Sequence, residues 1–163
     1  MSVARLAYVG GAPRSELAPT VEYVDDAIVG VDTTERSSLL GILAALTFAR
    51  DIGCESAIIL GCDVPLVTSQ SLQQLVAALR DGPSSVDLAI ASSGVGHDHW
   101  SIMAANISAL TPLRDAYLRN ERAVHRAVAG VQTARVVVAS AETTNVNDQA
   151  TLADINSLLN AAR

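Results

Sequence analysis

Lysine is missing altogether. All 11 basic residues among the 163 are arginine, against 17 Asp and Glu, for a formal net charge of −6. Chemistry that needs a lysine ammonium within this chain is excluded, whether a Schiff base or a Walker-type phosphate contact. The acidic balance argues against a nucleic-acid partner, which requires a basic patch. Aromatics are scarce at 3%, although half of the residues are hydrophobic. The core must therefore be built from Ala, Val, Leu and Ile, which suits helices packed on a sheet. No apolar run reaches the roughly 18–20 residues of a membrane span. The opening Met1-Ser2-Val3-Ala4-Arg5 has no signal-peptide shape. Only two cysteines occur, Cys54 before an expected strand and Cys62 at its end. That placement disfavours a bridge, and buried free thiols in a reducing cytoplasm are expected. The length suits a single domain over 1–163, one able to bury about 70% of its unfolded surface.

What is present alternates. Strands are expected at Arg5–Val9, Val21–Val24, Ser56–Leu60, Val86–Ala91, Trp100–Ala105 and Arg135–Ala139. Helices are expected over Leu39–Asp51, Ser69–Arg80, Ser108–Leu118, Glu121–Ala129 and from Asp148 to about Ala162. Ser37 or Ser38 can cap the first helix and Gly53 ends it. Leu39, Leu43, Leu46 and Ala49 share one face of it. Ser-Ala-Ile-Ile-Leu at 56–60 is a continuous apolar run, as in a strand buried on both faces of a parallel sheet. Strands alternating with helices give a doubly wound α/β architecture. In such sheets ligands bind beyond the carboxyl ends of the strands, so the residues just after each strand are the candidates.

After the 56–60 strand comes Gly61-Cys62-Asp63-Val64-Pro65. Asp63 can hold a hard cation that also meets a phosphate, or it can cap a turn. After the last strand comes Asn145-Val146-Asn147-Asp148. On an extended backbone the two amides point the same way, toward one ligand. A helix N-cap explains one residue here but not all of them. Gly10-Gly11 lacks the remainder of a dinucleotide fingerprint and reads as a turn. His97 and His99 can coordinate zinc at i, i+2, but no Cys or further His completes a set. His125 reads as a surface or helix-packing residue. Arg119, Arg122 and Arg126 read as a solvated face or as a contact to substrate phosphate. No nucleophile elbow occurs, and Asp63 beside Cys62 opposes thiolate formation.

In order, the segments L-L-G-I-L-A-A-L at 39–46, C-D-V-P at 62–65, His97 and N-V-N at 145–147 resemble the molybdenum cofactor guanylyltransferase (MobA-like NTP transferase) family. That family reads G-P-L-A-G-I-L-A-A-L, C-D-M-P, H-P and N-V-N-T-P-E-D-L. Tyr117–Val128 also resembles its Y-L-x-x-G-E-R-R-V segment, so the resemblance covers nearly all of the chain. It implies a Rossmann-like nucleotidyltransferase fold, a mostly parallel sheet with helices on both faces. It also implies transfer of GMP from GTP to the phosphate of molybdopterin, with magnesium. By the same resemblance Asp63 is the catalytic residue and Mg2+ ligand. Leu39, Leu40 and Gly41 lie beside the guanine, and Asp32 matches an acidic residue before that loop. Asn145, Asn147 and His97 face the pterin substrate. The implied partners are small molecules, GTP and molybdopterin, with no nucleic acid and no membrane.

The departures are specific. The family opens with a strand and then L-A-G-G-x-S-x-R-M-G-x-D-K, whereas R-L-A-Y-V-G-G here resembles its second strand. The first strand and the glycine-rich phosphate loop, with its Lys, are thus expected to be absent from this chain. Ser37-Ser38 stand in place of Gly-Pro, His97-Asp98 in place of His-Pro, and Asp148-Gln149-Ala150 in place of Thr-Pro-Glu. Two other readings follow: a degenerate homologue that binds a nucleotide or a protein partner without catalysis, or a sibling enzyme that uses CTP.

Overall fold

The computed structural model describes residues 6–10, 20–31, 35–83, 86–94 and 96–161. The chain forms two compact units, Met1–Ala57 with Ala105–Gln132, and Ile58–Ala104 with Thr133–Arg163. The α/β expectation is met. β1 (Leu6–Val9) pairs in parallel with β2 (Val21–Val24), in register from Leu6 against Val21 to Val9 against Val24. A second sheet has the order β3 (Ser56–Leu60), β5 (His97–Asn106), β4 (Leu88–Ser93), β6 (Thr133–Val137). β4 and β6 are parallel, from Leu88 against Thr133 to Ser92 against Val137. β5 runs antiparallel to β3, because Ile107 N–H bonds to the Glu55 carbonyl at one end and Gly61 N–H to the Ser101 carbonyl at the other. The sheet is therefore mixed, with β4 and β6 a parallel pair and β5 the one reversed strand.

In the first unit, α1 (Ser38–Asp51) begins at Ser37, whose Oγ accepts from Leu40 N–H at 3.2 Å. The sequence places one apolar face on this helix, but it is enclosed nearly all round: Leu39, Leu40, Ile42, Leu43, Ala44, Leu46, Thr47 and Ala49 are all buried. A helix that is apolar on most sides finds its stable place inside a core. Here it packs against a 3-10 turn at Asp26–Val29, α3 (Leu110–Leu118) and α4 (Val124–Ala127). Glu121–Ala129, expected as one helix, is a short α4 followed by a 3-10 turn at Val128–Gly130. α3 gives way at Asn120, which adopts φ 68°, a left-handed conformation that Asn tolerates better than most residues.

In the second unit, α2 (Ser69–Asp81) packs on β4 and β6. Val64, Leu75, Leu79, Ala89, Ala91, Ile102, Ala104 and Val138 close the core beneath it. α5 (Gln149–Ala161) follows a 3-10 turn at Ser140–Thr143. Two expectations need correction. β3 is not buried on both faces: it stands at the end of the sheet order, and Ile58 and Leu60 are 45% and 44% exposed. The exposed residues alternate along the strand, so the face carrying Ser56, Ile58 and Leu60 lacks a covering layer. Cys54 and Cys62 are free thiols, but neither is buried: Cys54 is half-buried, and Cys62 is exposed just after that edge strand. No helix among the described residues is long and apolar enough to cross a membrane.

Candidate active site at the carboxyl end of the second sheet

The loop after β3 is held at both ends. Gly61 N–H donates to the Ser101 carbonyl at 2.7 Å, and Val64 is buried in the core. Asp63, between these anchors, is half-buried, and its carboxylate folds back over Gly61. A β-carbon on Gly61 would collide with Asp63 Oδ1 and come within 2.9 Å of Ser101 Cβ. Glycine is required here by close approach rather than by backbone conformation.

The Asn145–Asn147 segment joins the same place. Val146 N–H donates to the Asp63 carbonyl at 2.8 Å, so the bond between the two loops falls between the two asparagines. The segment is also tied upstream. Glu142 Oε2 accepts from Thr68 N–H and from Thr68 Oγ, each at 2.9 Å, where Thr68 caps α2. Burial works to raise the Glu142 pKa. Hydrogen bonds from Ser71 and Thr68 outweigh it and hold the carboxyl below its ordinary value. Asp148 caps α5, with Oδ1 accepting from Thr151 N–H at 2.8 Å. The capping role thus belongs to Asp148, and Asn145 and Asn147 both stand exposed.

β5 enters this end of the sheet at His97. Expected in a Ser/Gly loop, His97 is instead the exposed first residue of the strand. Asp98 binds the guanidinium of Arg135 on β6 through two near-parallel bonds of 2.9 Å. His99 Nε2 lies 2.9 Å from Ser93 Oγ at the end of β4. Burial and the neighbouring His97 lower the His99 pKa, with Asp98 opposing them. Val138 N–H bonds to the Ser92 carbonyl at 3.0 Å. The register therefore gathers the carboxyl ends of β3, β4 and β6 with the amino end of β5. Asp63, Ser93, His97, His99, Asn145 and Asn147 all stand at that end. Sequence reasoning reached Asp63, His97 and the two asparagines. It missed Ser93, whose place follows from the pairing of β4 with β5, and weighed His99 only as a zinc ligand.

Among the described residues no group of three His, Cys, Asp or Glu side chains is placed to hold a metal, which removes a zinc cluster at His97 and His99. Magnesium makes a smaller demand. It binds through one or two carboxylates together with waters and substrate phosphates. Asp63 has no arginine ion pair among the described residues, so its charge is available for such a cation.

The remaining expected site residues belong to the first unit. Leu39 and Leu40 are 0% and 1% exposed, so their side chains serve the core. Gly41 is half-buried, and a β-carbon on it would meet open space. Asp32 lies outside the described residues. Arg122 and Arg126 already have partners. Arg122 stacks on the Tyr117 ring at 3.9 Å and pairs with Glu35, and Arg126 Nε meets Glu121 at 2.7 Å. His125 is exposed.

Solved structures that share this fold include the following three. Molybdopterin-guanine dinucleotide biosynthesis protein A from Archaeoglobus fulgidus is 18% identical, with a TM-score of 0.67 over 86% of this chain and 69% of its own. A protein from Aquifex aeolicus VF5 is 16% identical, with a TM-score of 0.61 over 79% of this chain and 63% of its own. The 4-diphosphocytidyl-2C-methyl-D-erythritol synthase from Anaerococcus prevotii DSM 20548 is 12% identical, with a TM-score of 0.62 over 90% and 70%. The chain thus spans 63–70% of the length of these three. No curated protein matches it significantly in sequence. The family model for the MobA-like NTP transferase domain matches residues 1–136. On that match, and with the α/β fold and strand-end carboxylate in place, the chain belongs to the MobA-like NTP transferase domain family.

Proposed function

We propose that the protein is a nucleotidyltransferase of molybdenum cofactor biosynthesis that transfers GMP from GTP to the phosphate of molybdopterin and releases pyrophosphate. The observation that carries this reading is the bond from Val146 N–H to the Asp63 carbonyl. That bond joins the Asp63 loop to the segment with the exposed Asn145 and Asn147, which supports reading the first as the cation side and the second as the acceptor side. Asp63 would hold Mg2+, which supplies neutralisation of the charge on the α-phosphate and leaving pyrophosphate. Asn145 and Asn147 orient the acceptor. Gly41 leaves room for a base to approach α1. Such transfer asks little covalent work of the protein, since positioning and charge neutralisation suffice. Two free thiols suit a reducing cytoplasm, where we place the protein.

Calorimetry of GTP binding with magnesium tests this reading. Asp63→Ala is expected to weaken binding at least about tenfold, or roughly 1.4 kcal/mol. Equal binding by wild type and variant removes Asp63 from this role. A second reading, cytidylyl transfer, draws on the structural similarity to the Anaerococcus synthase. It is preferred if CTP binds more tightly than GTP. Binding without pyrophosphate release in the presence of acceptor favours the non-catalytic homologue.

A further inference from the structure

We propose that His99, held by Ser93, takes the proton from the attacking oxygen of the acceptor phosphate. This rests on the nucleotidyl-transfer reading and extends it to a residue pair outside the family-like motifs. The geometry is a two-point arrangement. Ser93 ends β4, and His99 stands near the start of β5, its neighbour in the sheet. Ser93 Oγ lies 2.9 Å from His99 Nε2. A serine hydroxyl that accepts from Nε2–H fixes the tautomer in which Nδ1 is a bare acceptor. Both residues are half-buried, so the ring is oriented yet reachable.

The location follows from register. Gly61 pairs with Ser101, and two residues back along β5 is His99, past the carboxyl end of β3 and toward the Asp63 loop. The groups around the ring support a neutral imidazole. His97 and Asp98 flank it on its own strand, and Ser93 faces it from β4. Asp98 is itself held by Arg135 of β6, which reduces the acid's pull on the ring proton. A neutral imidazole near neutral pH is the form a general base requires.

The step balances. The acceptor oxygen bonds to the α-phosphorus, and its proton passes to Nδ1 of His99. The bond from the α-phosphorus to the bridging oxygen breaks, and pyrophosphate leaves with that electron pair. A phosphate monoester whose second ionisation falls near pH 6 keeps that proton only in its monoanion, the minor form at neutral pH and the major one below pH 6, and it is from the monoanion that His99 takes the proton.

Long-range proton–nitrogen NMR of the three histidines, with inorganic phosphate as the probe, provides the test. The expected result is an Nε2–H tautomer at His99 whose ring signals move as phosphate is added through the millimolar range. His125 serves as the control and stays still. Ser93→Ala should scramble the tautomer and weaken the phosphate response several-fold. In transfer assays His99→Gln should lower kcat several-fold near pH 6, where the acceptor monoanion is abundant, and progressively less as the pH rises to 8, with GTP binding unchanged. An Nδ1–H tautomer at His99, or a His99 ring indifferent to phosphate, overturns the proposal. The two readings fail separately. GTP binding that ignores Asp63 sinks the transferase reading whatever His99 does, whereas Asp63-dependent GTP binding with a silent His99 sinks only this inference.

Discussion

At the residue scale, two glycines separate packing from function. Gly61 has no room for a β-carbon, because Asp63 Oδ1 and Ser101 Cβ occupy that space. Gly61→Ala should keep the fold, as judged by circular dichroism, and displace the Asp63 carboxylate. Its GTP affinity in magnesium should fall to the level of Asp63→Ala, and calorimetry on both variants reads this directly. Gly41 is the opposite case. It sits within α1 with nothing within 4 Å of a β-carbon. Gly41→Ala should raise stability by about 1 kcal/mol in urea unfolding, from helix propensity alone. If a nucleotide base approaches the helix there, the same variant should bind GTP several-fold more weakly. A gain in stability with unchanged affinity would remove Gly41 from the site.

At the element scale, the turn from α3 into α4 has its own acid sensitivity. Glu121 accepts from Arg126 Nε at 2.7 Å and from the N–H groups of Arg122 and Ala123 at 2.8 Å each. The Arg126 bond foremost, then the Ala123 N–H, hold its pKa at about 2 against an ordinary 4.5. The folded-state value is depressed, so this contribution is complete above pH about 4.5 and disappears as pH falls towards about 2. Glu121→Gln should melt at a lower temperature than wild type at neutral pH. The difference in Tm between the two should shrink steadily as the pH is lowered through that window. A difference independent of pH would mean that Glu121 acts through shape and not charge. The same turn shows why the expected helix starts late: the Glu121 side chain accepts from the Arg122 and Ala123 N–H groups, and α4 begins only at Val124.

At the scale of the whole molecule, the open feature is the end strand of the second sheet. β3 carries Ser, Ala, Ile, Ile and Leu, with no charge and no proline, and exposes Ile58 and Leu60. Ile58 also lines an open cleft with Leu72, Val76 and Ala77 of α2. Edge strands without charges or proline tend to pair with other strands. Ile58→Lys should therefore delay self-association at high concentration, followed by light scattering, without changing the secondary structure. No change in scattering would show that the net charge of −6 already keeps the chains apart.

Much of this protein was legible without coordinates. Local signals suffice where one segment settles its own geometry. Ser37 before an apolar run starts α1, Gly53 with φ 76° follows its end, and Asp148 opens the last helix. Asp63 stands out as a candidate because a carboxylate just after an apolar strand is a local pattern. What needed the tertiary structure was pairing between distant segments. Strand order put Ser-Ala-Ile-Ile-Leu at an edge, although its composition is that of a central strand, because burial depends on neighbours and not on apolarity alone. Pairing of β4 with β5 put Ser93 on His99, and a backbone bond across 83 positions put Val146 on Asp63. The sequence by itself determined the α/β class, the absence of any lysine and the helix boundaries to within a few residues. Only the tertiary structure decided which polar side chains share one end of the sheet, since a hydrogen bond between distant segments has no signature in either segment alone.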